Sequence, residues 1–358
     1  MDFFVNEALK AVPQDKVVEE NNVGQAMIRV IGCGGAGNNM ISWLYKKGVR
    51  GAEIIAVNTD KQHLDISDAD RKFLIGRNVT RGLGCGGFPE KGAAAAQETI
   101  NEIRDVLKKS DIVFVCAGMG GGTGTGSAPV VAKVAKESGS IVIGTVTMPF
   151  KIERARIDRA EFGLQSLRQY SDTVVVIDNN RLVKIAGNLP VKQAFAIANE
   201  LIATMIRGIV ETISVPSLVN LDYADVRAIM TNGGVSTIGI GSSDTKSRVE
   251  EAVKGALSNP LLDVSYAGAV GALIHIEGGP DMTLDEVNKI GEMVTESLDD
   301  DANVIWGARV SDEMEGKLTV MAIITGVHSP WLLGNEGNRK KQKQQVSNYD
   351  DDLQIEIL

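Results

Sequence analysis

With 358 residues, 44% of them hydrophobic, the chain is long enough for about two domains with full cores. Its 37 basic and 46 acidic residues leave a net charge of −9, which argues against a nucleic-acid backbone or an anionic membrane as principal partner. No apolar run approaches the roughly 20 residues of a membrane span. The start Met1-Asp2-Phe3-Phe4 does not resemble a signal peptide, and Cys33, Cys85 and Cys116 fit neither a disulfide framework nor a zinc spacing. A cytoplasmic protein is expected.

Residues 1–26 read as a polar, loosely held extension. Short, uniformly apolar strands then alternate with amphipathic helices. Strands are predicted at 27–31, 53–57, 112–116, 141–147 and 173–177, with helices at 38–47, 93–109, 127–137 and 156–170. That alternation predicts an α/β fold, a parallel sheet covered on both faces that takes its ligand at the carboxyl ends of the strands. Pro190 suits the first turn of a long helix that runs to about Ile213 and is ended by Pro216. A smaller α+β unit follows, with strands at 236–240, 269–276, 304–309 and 318–325. Its helices are expected at 245–257 and 283–298, the second opening on the capping signature Thr283-Leu284-Asp285-Glu286. Beyond Gly326 the periodicity stops, and the opposite charge runs Arg339–Lys343 and Asp350–Asp352 predict a disordered tail ending in the more apolar Leu353–Leu358. The domains are thus expected at 27–189, 190–216 for the central helix, and 217–327, with a tail at 328–358.

Three glycine-rich turns follow strands of the predicted sheet. The richest, Gly118–Gly126, has six glycines in nine positions between an apolar strand and a helix expected to start near Ser127. Such a run exists for its backbone: successive N–H groups can turn toward one point, beside the positive end of a helix dipole. A phosphate chain is the natural occupant, although the Lys-Ser/Thr ending of a P-loop is missing. The turn Gly32–Gly37 satisfies the G-x-G-x-x-G dinucleotide fingerprint, and Asp60 stands where a ribose-binding acid belongs. Alone it suggests an NAD(P)-dependent oxidoreductase. A second phosphate cradle and the lack of an obvious proton-transfer histidine oppose that reading, since His275 lies in an apolar strand. The third turn, Gly82–Pro89, reads either as a surface loop or as a further wall of one polyphosphate site.

Gly118–Gly126 resembles the tubulin/FtsZ signature G-G-G-T-G-[ST]-G, and the likeness extends over about residues 27–327. Within that family the chain looks like an archaeal FtsZ. The segments Pro149–Arg156, Ile177–Arg181 and Ser217–Asp225 favour the second archaeal group, which is associated with constriction.

The resemblance implies a GTPase that uses GTP/GDP and Mg²⁺. Gly34, Gly35, Ala36 and Asn38 would line the phosphates from the first turn, Gly84 from the third, and Gly118, Gly120, Gly121, Gly122, Thr123 and Gly124 from the second. Glu153 and Arg156 match the family's sugar-side pair, with Arg154 competing for the second role. Asn179, Phe195 and Glu200 match its base pocket. Asp222 and Asp225, with Asn220 in support, match the loop that enters the next subunit's site and positions the attacking water. Read without the family, two carboxylates at i and i+3 are an ordinary capped helix start. The resemblance further implies head-to-tail filaments and a division-site location at mid-cell. It also implies capture of membrane-linked partners by the C-terminal peptide, without insertion into the membrane.

Overall fold

The computed structural model describes residues 26–327 apart from 215, 216, 220, 232, 233, 259–265, 267, 268, 297 and 300. The predicted extension, the charged tail, Asn220 and Pro216 lie outside the described residues. The strands are β1 (Ile28–Cys33), β2 (Ala52–Asn58), β3 (Arg71–Leu74), β4 (Ile112–Gly118), β5 (Ile141–Met148), β6 (Thr173–Asp178), β7 (Gly234–Ser243), β8 (Gly271–Gly278), β9 (Asn303–Val310) and β10 (Leu318–Thr325). They pair into one sheet in the order β3-β2-β1-β4-β5-β6-β7-β10-β8-β9.

From β3 to β6 every pairing is parallel. Successive residues of β1 point to opposite faces, and both faces are covered: Val30 joins one core cluster and Ile31 another. The first cluster takes in Ile41 and Leu44 of α1 (Gly34–Lys46) and Ile202 and Ile206 of α9 (Val191–Ser214). The second includes Val131 of α6 (Thr123–Glu137) and Leu164 of α7 (Ala155–Tyr170). Strand order reverses between β1 and β4, so the chain leaves these two neighbours in opposite directions and a crevice opens at their carboxyl ends. β6 meets β7 through only two parallel pairs, Thr173–Gly234 and Val174–Val235. Beyond β7 the sheet is mixed: β10 runs antiparallel to β7 and β8, and β8 is parallel to β9.

The structure departs from several expectations. Helices α1 and α6 start inside the glycine turns, at Gly34 and Thr123, four residues earlier than predicted. Glycine is unfavourable in a helix interior but tolerated in the first turn, where N–H groups have no intrahelical partner. The single helix predicted at 93–109 is two, α4 (Pro89–Glu98) and α5 (Ile100–Leu107). They break at Thr99, whose hydroxyl donates to Ala95 O at 2.8 Å and competes with the backbone pattern. Short elements with little periodicity were not expected: α2 (Lys61–Ile66), β3, α3 (Arg77–Thr80), α8 (Asn179–Ala186) and α10 (Tyr223–Met230). Helix α9 also corrects the reading of membrane spans. Its 24 residues include a stretch of mean hydropathy 1.2, long and apolar enough to cross a bilayer by length and composition. Its apolar side is instead part of the core, through Ile202, Met205, Ile206 and Ile209.

Candidate nucleotide site

The turns after β1 and β4 meet at the carboxyl edge of the sheet around a cavity of about 290 Å³. Gly35, Ala36, Gly118, Gly121, Gly122, Thr123 and Gly124 line it, as the sequence leads one to expect. No side chain caps α6, whose first turn forms one wall. Its N–H groups and dipole therefore present partial positive charge to the cavity, an arrangement suited to phosphate.

Four of the residues expected here shape the cradle without facing it. Gly34 is buried with φ +72°, and a Cβ there would stand 2.7 Å from Gly124 N. It is the point where the two loops touch, and only glycine fits. The Gly120 N–H is already donated to Thr125 Oγ1 at 2.9 Å. Asn38 is fully buried; with its amide oriented to suit its neighbours it donates to Gly32 O (2.7 Å) and accepts from Asn58 Nδ2 (3.1 Å). Its neighbour Asn39, on the outer side of α1, lies on the cleft instead. Gly84 donates its N–H to Thr59 O at 3.2 Å, and the third turn reaches the cradle through Cys85 and Phe88, which pack on Gly122. Thr59, which no motif marks, is fully buried and its hydroxyl shares a 2.6 Å hydrogen bond with Thr123 Oγ1.

Glu153 and Arg156 lie together at the cavity. Arg156 Nη1 donates to Glu153 Oε2 at 2.6 Å, and both side chains line the cavity. Arg154 takes φ +40° at the start of α7 and is not among the lining residues, so Arg156 is the guanidinium at the cleft.

A wider cavity of about 960 Å³ shares Gly35, Ala36, Thr147 and Asn179 with the first, making one continuous cleft. Asn180 donates to Asp178 and accepts from Lys151 N, while Asn179 lines both cavities. Phe195 is 41% exposed on the cleft and meets Phe150 edge-on, ring centroids 5.9 Å apart. Glu200 is placed differently from the expectation. It accepts from Trp43 Nε1 at 2.7 Å, pairs with Lys47, and does not line the cleft; Asn199 does. Helix geometry is the reason: position 199 is four residues from Phe195 and shares its face, whereas position 200 is rotated about 140° from it. Burial alone would raise the Glu200 pKa, but Lys47 and Trp43 together hold it below its ordinary value.

Cys33 and Cys116 are buried beside the cradle. Burial pushes the Cys33 thiol up to about 12 and raises Cys116 as well. Asp60 caps α2, its carboxylate accepting from His63 N at 3.1 Å.

Asp222 and Asp225 lie far from the cradle. They form a reciprocal cap at the start of α10: Asp225 N donates to Asp222 Oδ1 (2.9 Å) and Asp222 N to Asp225 Oδ2 (3.0 Å). The next residue, Tyr223, donates its hydroxyl to Asp111 O at 3.4 Å. Asp111 immediately precedes β4, at the amino end of that strand, while the cradle follows its carboxyl end at Gly118. The 7 residues of β4 put roughly 20 Å between those two edges of the sheet.

A parallel sheet with a phosphate cradle at its switch point and a cleft extending toward an aromatic face defines a nucleotide-binding protein. The Tubulin/FtsZ family GTPase-domain model matches residues 27–187, and the FtsZ family C-terminal-domain model matches 234–328. "Cell division protein FtsZ 2" of Methanocaldococcus jannaschii is 57% identical over 331 residues, 92% of this chain and 87% of that one. "Cell division protein FtsZ 1" of the same organism is 46% identical over 336 residues, 93% and 92% of the two chains. Among solved structures, an empty FtsZ dimer from M. jannaschii has a TM-score of 0.79 at 46% identity, covering 90% of this chain and 92% of its own. The chain belongs to the tubulin/FtsZ family. It is a GTPase of the cell-division branch, more similar to FtsZ 2 than to FtsZ 1, and the oxidoreductase reading is set aside.

Proposed function

We propose that GTP occupies this cleft, that the subunits assemble head-to-tail, and that Asp222 and Asp225 of one subunit complete the nucleotide site of the next. The observation that carries the reading is the separation of the two halves. The cradle is at the carboxyl edge of the parallel sheet, and Tyr223 ties the acid pair to its amino edge at Asp111. One chain cannot close that distance on itself, whereas a second copy stacked end to end can. Such a contact is heterologous and does not close, so it propagates as a filament.

The phosphates sit against α6 and the turns at Gly35 and Gly121–Gly124, with Glu153 and Arg156 at the sugar. Phe195 offers a stacking face, and the amides of Asn179 and Asn199 suit the paired donor–acceptor edge of guanine. Among the described residues no group of three or more His, Cys, Asp or Glu side chains could hold a metal ion. Mg²⁺ would therefore be bound mainly through phosphate oxygens and water, where it neutralises developing charge. The incoming acids accept hydrogen bonds from the attacking water and hold it in line with the γ-phosphate, with Asn220 as the supporting amide. Hydrolysis then waits on assembly and weakens the contact that permitted it.

In this reading residues 27–189 are the GTP-binding domain, 190–216 the central helix and 217–327 the domain carrying the acid loop. The protein works in the cytoplasm at the mid-cell division site, and its terminal peptide recruits membrane-linked partners. The test is GTP turnover against protein concentration, followed together with light scattering. Turnover rising more than linearly, with scattering that depends on GTP, supports the proposal. Turnover strictly proportional to protein, or NAD binding without GTP hydrolysis, would overturn it. GTP-dependent scattering without phosphate release would leave a filament that binds GTP and does not cut it.

A further inference from the structure

We infer that Gly307, on edge strand β9, is a positioning residue for GTP hydrolysis: its bare backbone is the seat on which the acid loop rests. The inference builds on the proposed role of Asp222 and Asp225.

Among the described residues β9 ends the sheet, with no further strand on one side of its backbone. The acid loop covers that side at one place. Val219 and Ala308 form an isolated antiparallel bridge, with Val219 N donating to Ala308 O (3.0 Å) and Ala308 N to Val219 O (3.2 Å). Three residues after Val219 comes Asp222. Next to the bridge, β9 carries a glycine among Val304, Ile305, Trp306, Arg309 and Val310. A glycine inside a strand weakens it and marks a close approach of another part of the chain. Here the approach is the acid loop itself. A Cβ on Gly307 would stand 2.7 Å from Leu221 Cγ and 2.8 Å from Val219 O.

Neither neighbour can yield freely. Leu221 is 4% exposed and belongs to the main core cluster, and Val219 O is held by the bridge. The loop is also tied from the other side, through the Tyr223 hydroxyl on Asp111 O. A side chain at 307 must therefore lift the segment that leads into Asp222. The acid pair sits between two anchors, one on the nucleotide-binding part of the sheet and one on its far edge. Gly307 decides how closely the second anchor is approached.

The experiment uses the full-length chain. Gly307→Ala adds the obstructing atom. Ala308→Pro removes the N–H that Val219 accepts, and it sacrifices no ladder bond because that N–H points away from β8. Each variant is measured for GDP affinity as a monomer, for GTP-dependent sedimentation, and for kcat and KM. For both we expect kcat to fall about tenfold to a hundredfold with GDP affinity within about twofold of the parent. Combining Gly307→Ala with Leu221→Ala, which removes the Leu221 part of the collision, should return part of the lost kcat, a non-additive result. Parental kcat in both single variants, or kcat and GDP affinity lost in equal proportion, would overturn the inference. So would simple addition of the losses in the double variant. Asp222→Ala is run in parallel. If it too keeps its turnover, the acid-loop reading is at fault; if it is inactive while Gly307→Ala is normal, only the role of Gly307 fails.

Discussion

Asp222 and Asp225 cap each other, each carboxylate accepting the other residue's backbone N–H through one of its oxygens. The cap therefore does two things at once. It starts α10, and it fixes the direction in which the second oxygen of each acid points.

These two roles separate by substitution. Asp222→Asn keeps a good helix cap but removes the charge, so thermal stability stays near the parent while GTP turnover falls by about a hundredfold or more. Asp222→Ala loses both, with about 1 kcal/mol of stability going with the cap. GTP binding to the monomer is unchanged in each. Calorimetry alongside a phosphate-release assay checks this, and an Asp222→Asn enzyme of parental rate would refute it.

Asn199, not Glu200, is expected to govern base recognition. Asn199→Ala should weaken GTP binding by about tenfold and narrow the preference for GTP over ATP. Glu200→Gln should leave nucleotide affinity close to the parent. It should instead alter the fluorescence of Trp43, whose indole N–H Glu200 accepts. Competition binding with GTP and ATP decides between the two positions.

Thr59→Val deletes the hydroxyl that meets Thr123 at the cradle. The loss of one buried hydrogen bond, with Thr123 Oγ1 left short of a partner, corresponds to about 1–3 kcal/mol. Nucleotide affinity should drop accordingly, and Thr59→Ser should restore it. Equilibrium binding of GDP measures both variants.

His275 supplies a pH dependence. Burial, with Arg309 nearby, pushes its pKa down from 6.5 to about 4. The unfolded chain therefore takes up a proton near pH 6.5 that the folded chain refuses until about pH 4, and stability falls as pH drops through that window. The thermal midpoint should decline between those values, and His275→Leu should flatten the decline. A midpoint equally pH-dependent in both proteins would contradict this assignment.

Gly34→Ala tests the junction of the two glycine turns. The new side chain meets Gly124 N and forces a residue with φ +72° out of its preferred range. Nucleotide binding should be lost or severely weakened, with stability reduced by about 1–3 kcal/mol. Differential scanning with and without GDP reads both effects, since the parent is stabilised by the ligand and the variant is not.

The glycine turns, the apolar strands between them and the long helix after Pro190 were all legible, because each imposes its structure locally. Glycine runs are unfavourable in the interior of an element, uniformly apolar strands demand cover on both faces, and a 3.6-residue period persists over many turns. The short elements α2, β3 and α3 carry too few residues for any period to show, and tertiary packing holds them. Within the site, adjacent positions were the hard ones. Asn38 and Asn39, or Asn199 and Glu200, differ by one step along a helix, which turns one side chain into the core or onto another helix and its neighbour into the cleft.

The local chemistry of the chain thus determined that it has a phosphate cradle, while an aromatic face for a base and a separate pair of acids were implied by the family resemblance. Only the tertiary structure decided where these lie relative to one another. The parallel register of β1 and β4 brings two distant glycine turns to one edge of the sheet. The Tyr223 hydroxyl on Asp111 O, with the seat at Gly307, holds the acids at the other. That separation is set by the length and direction of strands between the two groups, a property no single segment of sequence contains.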